Sequence, residues 1–241
     1  MNNPLNFTVN GTTEAEAKAI VSQLGWLSRT PERFRDIVLR KSQLMNFGTG
    51  ETLYSAGDPA GGMYGLVSGG LSVSIETNDL FPVTVHLYVP GTWTGDVAAI
   101  SGQPRLVGVT TTRATQILHL PLAAVNSILV EEPEAYRSFA RLSHWHVSTA
   151  LGAVSDLMIR DSAKRLIALL LRLSGCRRET VSGFGVIEID LSQDDLAIMS
   201  NVGRTKANAI LRELQAAGQI EISYRRIRVL APDALRSRLS R

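Results

Sequence analysis

The sequence predicts an α+β chain in three parts: an N-terminal antiparallel β-roll of jelly-roll type, a long dimerisation helix, and a C-terminal winged helix-turn-helix. Three observations predict it. Twelve of the twenty glycines fall between Gly48 and Gly108, and the runs between them are strand-like, so this stretch reads as short strands joined by tight turns. From Tyr136 to Leu157 apolar and small residues recur at a spacing of three and four, which reads as a helix with a seam. Leu191 to Leu214 reads as two short helices joined by a turn, with a two-strand hairpin after them.

In chain order, residues 1–45 read as a polar tail with short helices. Pro31 suits the first turn of one of these, and Phe34, Ile37 and Val38 give it an apolar side. Strands are expected at Met63–Val67, Leu71–Ile75, Val83–Val89, Val107–Thr112 and Gln116–Leu120. Leu71, Val73 and Ile75 alternate with Ser72, Ser74 and Glu76, so one face is buried and one wet. The helix expected from Pro133 to about Ile159 carries the seam Tyr136, Ala140, Ser143, Val147, Ala150, Val154 and Leu157. Its small residues allow two copies to approach closely. The other reading of the same pattern is one amphipathic helix packed on its own domain. Asp161 then reads as the cap of a new helix, Ser162 to Leu173, ended by Gly175. The expected boundaries are 1–130 for the roll, 131–160 for the long helix and hinge, and 161–241 for the last domain.

In that last domain Ser192 is an N-cap with Asp195 three residues on, a capping box with Asp in place of Glu. Asn201-Val202-Gly203 supplies residues that tolerate positive φ, so the turn is expected there. The second helix starts near Arg204, buries Ala207, Ile210, Leu211 and Leu214, and ends at Gly218. Its other face offers Arg204, Thr205, Asn208 and Arg212, with Lys206 nearby. Helix pairs of this kind present the second helix to base edges in the major groove of DNA. Gln219–Ile222 and Arg226–Leu230 alternate as strands around Ser223-Tyr224-Arg225, a wing with a basic tip. An ordinary helical hairpin with a solvated basic face is the bland alternative, and the wing argues against it.

Charge supports a nucleic-acid partner. The net formal charge is +3, but residues 160–241 hold fifteen Lys and Arg against nine Asp and Glu, leaving the remainder acidic. The basic part is the one with the helix-turn-helix, as phosphate contact requires. No apolar stretch approaches the ~20 residues of a membrane span, and no leader-like segment opens the chain, so a cytoplasmic protein without a membrane partner is expected. The single cysteine, Cys176, allows no internal disulfide and excludes an iron–sulfur cluster.

These features resemble the Crp/Fnr family of bacterial transcription regulators. The resemblance covers about residues 47–235. In the roll it rests on Gly50-Glu51-Thr52-Leu53, Gly57-Asp58, Tyr64, Val67 and Gly69. In the last domain it rests on residues 191–214, with Arg204 at the family's major-groove arginine. It implies a homodimer that binds double-stranded DNA at a near-palindromic site, an effector bound in the roll, contact with RNA polymerase, and no enzymatic activity.

The effector site departs from the family's cyclic-AMP binders. They use a cassette of Gly-Glu followed about ten residues on by Arg-Ser or Arg-Thr. The corresponding segment here runs from Gly95 to Leu106. Gly95 and Arg105 match, Asp96 is one methylene short, the cassette is one residue shorter, and Leu106 replaces the hydroxyl donor. The positions that place hydroxyls against the adenine align with Ala150 and Leu151. Three hydroxyls are absent from one pocket, each worth roughly 1–3 kcal/mol when buried, which counts against cyclic AMP. Two roles stay open for Arg105: holding another anion, or pairing with Asp96. The cofactor is therefore unknown.

The same sequence bears on other sensing chemistries. A haem sensor needs an axial ligand, for which His86, His119, His144 and His146 are candidates. His144 and His146 lie about 200° apart around a helix and cannot grip one metal. A redox switch at Cys176 is disfavoured by its place after a helix C-terminus, where the dipole raises a thiol pKa. A jelly-roll enzyme of the metal-dependent kind needs a His-x-His with a Glu on strands, which the strand-like runs lack. A ligand-independent architectural DNA-binding dimer remains the alternative to an effector-controlled regulator. For the DNA site, Arg204 suits a two-pronged contact to guanine. Thr205 and Asn208 are placed to read neighbouring bases. Ser192 and Gln193 open a helix and favour a phosphate. Lys206, Arg225 and Arg226 are expected on phosphates.

Overall fold

A computed structural model describes residues 12–76, 82–177 and 187–240. The chain divides into two compact units, with the boundary between Val147 and Ser148.

The first unit opens with helices α1 (Glu14–Ser22) and α2 (Glu32–Lys41). The roll follows: β1 (Gln43–Phe47), β2 (Thr52–Tyr54), β3 (Gly62–Ser68), β4 (Leu71–Ile75), β5 (Val83–Tyr88) and β6 (Trp93–Thr94). A six-residue helix α3 (Asp96–Ser101) leads to β7 (Gly108–Thr111) and β8 (Thr115–Pro121), then helix α4 (Leu122–Glu131) and the long helix α5 (Ala135–Leu157). Two four-stranded antiparallel sheets result, ordered β1-β8-β3-β6 and β2-β7-β4-β5. Leu71 to Ile75 forms a strand as its alternation predicts. Strands β1, β2 and β6 lie outside the expected set. The first strand of the roll therefore begins at Gln43, inside the stretch read from the sequence as tail and short helices.

Strand periodicity explains how the sheets pack. In β3, Leu66 points between the sheets with Tyr54, Leu71, Val73, Val109 and Ile117. Met63 and Val67, four residues apart and so on one side of the pleat, face the helices instead, with Leu118 and Leu120 of β8. Both faces of β3 and β8 are thus covered, which is why they read as near-continuous apolar runs. On the helical side Trp26, Phe34, Trp93 and Phe139 pack at ring separations of 5.2–6.0 Å, and the Trp26 indole N–H donates to the Ser138 carbonyl at 2.8 Å. Gly65 is required beneath this cluster, since a Cβ there would meet the Trp93 ring at 2.5 Å.

The second unit takes the last turns of α5, then α6 (Ser162–Leu173), β9 (Ile187–Ile189), α7 (Gln193–Met199), α8 (Arg204–Ala216), β10 (Ile220–Ser223), β11 (Arg226–Val229) and α9 (Pro232–Ser240). Asp161 caps α6 by accepting from the Lys164 amide at 2.9 Å. The hairpin β10–β11 gains a third strand from β9, and the chain ends in α9; neither element was expected from the sequence. Among the described residues, no helix is long and apolar enough to cross a membrane.

Candidate nucleic-acid interface and effector cassette

The helix-turn-helix is built from its caps outward. Ser192 accepts from the Asp195 amide, and the Asp195 carboxylate accepts from the Ser192 amide, completing the capping box. Leu196 and Ala197 pack inward, and α8 answers with Ala207, Ile210, Leu211 and Leu214. Only Asn201 takes the left-handed conformation in the turn, at φ 49°. Gly203 caps α8 at φ −57°, so its positive-φ tolerance is not used.

Arg165 of α6 holds this turn in place. Its guanidinium donates to the carbonyls of Ser200 at 2.5 Å, Ile159 at 2.5 Å and Asn201 at 2.8 Å. It thereby ties the end of α5 to the turn before the recognition helix. Nearby, buried Asp156 pairs with Arg172 at 3.2 Å and Arg177 at 3.0 Å. Burial holds the Arg172 guanidinium below its ordinary value. Neither Arg165 nor Asp156 stood out in the sequence, since an arginine or aspartate on a helix is usually solvated.

At the start of α8, Arg204, Thr205 and Lys206 are all exposed. Arg204 Nε sits 2.7 Å from Asp194 Oδ1. Ser192 and Gln193 are half-buried at the N-terminus of α7. Asn208 departs from expectation: it is half-buried, and its Oδ1 is buried without a partner, so it does not stand on the open face. Arg226 opens β11, where its strand-like run places it. It lies 3.4 Å from both Glu188 and Asp190, so its charge is already compensated. The tip is Tyr224 and Arg225, both exposed.

The cassette closes on itself. Gly95 has φ 91°, and a Cβ there would meet Arg105 Nη1 at 2.4 Å; only glycine fits. Arg105 is 4% exposed. Its Nη1 donates to the Gly95 carbonyl at 3.0 Å and its Nη2 to the Gly62 carbonyl at 2.9 Å, with the Tyr54 ring 4.2 Å away. Its Nε is buried without a partner. Asp96 is 1% exposed and pairs with α5 instead: Ser143 Oγ donates to Oδ2 at 2.6 Å, and His146 Nδ1 lies 3.1 Å from Oδ1. Of the two roles left open for Arg105, pairing with Asp96 is not the one found: each side chain has other partners. Tyr54, Thr94 and Tyr88 form a buried hydroxyl cluster, 2.7 and 3.5 Å apart. Burial pushes the Tyr88 phenol up to about 12 and raises Tyr54 as well. Leu106 is 73% exposed. A cyclic nucleotide asks for an acid free to take the ribose and a hydroxyl beside the arginine. With Asp96 occupied on both oxygens and Leu106 in the hydroxyl's place, the residues here do not fit it.

Ala150 and Leu151 are exposed on α5. So are Tyr136, Ala140, Val147, Val154 and Leu157 of the seam, while Ser143 is half-buried by its bond to Asp96. Of the four candidate haem histidines, His119 stacks on Tyr64 at 4.8 Å, His86 meets Tyr88 edge-on at 5.6 Å, and His146 is held by Asp96. The fourth, His144, is exposed on α5. Cys176 is buried and reduced, with its thiol 3.4 Å from the Ser174 carbonyl.

The fold and these sites define a β-roll regulator with a winged helix-turn-helix. The family model of the cyclic nucleotide-binding domain matches residues 44–132, and that of the Crp-like helix-turn-helix domain matches residues 164–238. The chain belongs to the Crp/Fnr family of bacterial transcription regulators. It is similar to the global nitrogen regulator of Synechococcus elongatus, 29% identical over 82% of this chain and 90% of the relative. It is also similar to the CRP-like cAMP-activated global transcriptional regulator of Mycobacterium tuberculosis, 20% identical over 83% of this chain and 89% of the relative. Two solved structures share the fold. FixK2 of Bradyrhizobium japonicum has a TM-score of 0.66 at 16% identity, covering 81% of this chain and 96% of its own. The c-di-GMP responsive regulator CLP of Xanthomonas campestris has a TM-score of 0.60 at 21% identity, covering 83% and 99%.

Proposed function

We propose that this chain acts as a homodimer that binds a near-palindromic DNA site, under control of an effector other than cyclic AMP. The observation that carries the reading is the exposed cationic start of α8, Arg204, Thr205 and Lys206, on a helix whose other face is fully packed. Dimerisation through α5 is supported by its exposed apolar seam, since Tyr136, Val147, Val154 and Leu157 are about half-exposed in the single chain. Apolar rows of this size are rarely left open. The relatives' printed effectors differ, cyclic AMP in one and c-di-GMP in a structural neighbour, so the family alone does not assign one here. No role as an enzyme is proposed, the relatives being regulators.

The test is selection of bound DNA from a random pool by the full chain, with and without a metabolite extract. A two-fold motif with half-sites about one helical turn apart is expected. A pool that yields no motif overturns the reading. The closed cassette favours a second reading, a dimer that binds DNA without any ligand. Affinity that no extract changes would support it.

A further inference from the structure

We propose that the wing tip, Tyr224 and Arg225, enters the DNA minor groove beside each half-site, with Arg225 sensing the width of the groove. This rests on the DNA-binding reading above.

The first observation is conformational. Ser223 and Arg226 are the last paired residues of the hairpin, so Tyr224 and Arg225 form a two-residue loop. Such loops favour glycine or asparagine wherever φ is positive. Arg225 has φ 52°. A long cation therefore occupies a position where local sterics favour a residue with little or no side chain. Strain of this kind, observed first, points to a use for the side chain.

The second observation concerns which groups are already committed. Arg226 is paired with Glu188 and Asp190, and Arg228 with Glu221 at 2.6 Å and Glu188 at 3.9 Å. Among the described residues Arg225 makes no ion pair. Tyr224 is 92% exposed, so its ring rests on nothing in the protein. The body of the wing is neutralised while its apex keeps one free guanidinium and one free aromatic face.

The third is the rigidity of what carries them. Ile220, Ile227 and Val229 are buried at the root, and β9 braces β11 from the far side. The hairpin begins four residues after α8 ends. A narrow two-residue tip suits the minor groove, about 6 Å wide, which a helix cannot enter. Narrow A·T-rich grooves concentrate negative potential and attract an inserted guanidinium. The Tyr224 ring would lie against the sugar walls. A contact to phosphate alone would not need the cation at the strained apex.

The test uses the full-length dimer and its selected site, with the flanks varied. Wild-type affinity is measured on flanks of A·T, of G·C, and of inosine·C, which has a minor groove like A·T and a major groove like G·C. The expected order is A·T and inosine·C equal, with G·C about five- to tenfold weaker. Arg225→Gly should erase that difference without lowering the melting temperature, because glycine accepts the loop's φ, and should leave the preference at the base read by Arg204 intact. Tyr224→Ala should weaken A·T-flanked binding several-fold. The proposal is overturned if inosine·C behaves like G·C. It is equally overturned if Arg225→Gly weakens all three flanks alike, the mark of a phosphate contact, or weakens none. A wild-type protein that selects no DNA would instead overturn the DNA-binding reading itself.

Discussion

Arg204 Nε and Asp194 Oδ1 lie 2.7 Å apart, bridging the first turns of the two helices of the helix-turn-helix. Arg204 is largely exposed and Asp194 about half-exposed, so the pair adds little to stability. Its consequence is orientation. The carboxylate holds the guanidinium near the face proposed to meet DNA, and it places a negative charge where phosphates would then approach. Arg204→Ala is expected to cost about 1–3 kcal/mol per half-site and to relax preference at one base pair. Asp194→Asn should instead raise affinity for random DNA and steepen its salt dependence. Fluorescence anisotropy on specific and random duplexes separates the two. An unchanged motif after Arg204→Ala would remove α8 as the reader.

The seam of α5 gives a second expectation. Val147 and Val154 are both 56% exposed in the single chain. Replacing both with Glu would set like charges into a dry interface. Sedimentation should then show a monomer, and DNA affinity should fall steeply because half of the contact is lost. A persistent dimer would mean that α5 is not the interface.

Calorimetry with cyclic AMP should show no binding at micromolar concentrations, because Asp96 is taken by Ser143 and His146. His146→Phe should destabilise the first unit by about 1–3 kcal/mol, the cost of leaving a buried carboxylate short of one partner. Urea unfolding would show it as a lower midpoint at unchanged slope.

Asp156→Ala should be among the more damaging single changes in the second unit. It strips the partner from Arg172, whose side chain is 9% exposed. Removing one member of a buried pair costs about 3–5 kcal/mol. Thermal denaturation of the full chain would register the loss, and a wild-type melting temperature would refute it.

Acid should weaken the cap of α6. The Lys164 amide holds the Asp161 carboxyl below its ordinary value of 3.8. A carboxyl depressed on folding contributes stability above its unfolded value, and the contribution is lost as pH falls through the folded one. Asp161→Asn retains a capping oxygen but no charge. The gap in melting temperature between wild type and this variant should therefore be largest near neutral pH and shrink below pH 4. A constant gap would show that the charge contributes nothing.

The local features were legible because each depends on residues close in sequence. The Ser192–Asp195 capping box, the Asp161 cap and strand β4 all follow from side chains within five positions of each other. The amphipathic faces of α6 and α8 follow from helical periodicity alone. The order of roll, long helix and winged helix-turn-helix could therefore be read from the sequence alone. Strand β1 could not be. Gln43–Phe47 shows no clean alternation, and it is a strand because β8, some seventy residues away, supplies its hydrogen bonds. Strand β9 is three residues long and exists only as the brace of β11.

The site residues divide in the same way. Composition and spacing placed Arg204, Thr205 and Lys206 at an exposed helix start, since a helix face is a local property. What Arg105, Asp96 and Arg226 touch depended on folding. Arg105 reaches a carbonyl 43 positions away, Asp96 a hydroxyl 47 positions away, and Arg226 the carboxylates of Glu188 on β9 and Asp190 just after it. A charge in a sequence has many possible partners. Only the closing of the roll, and the pairing of β9 with β11, bring one set within hydrogen-bonding distance and desolvate it, and that choice decides which charges remain for a ligand or for DNA.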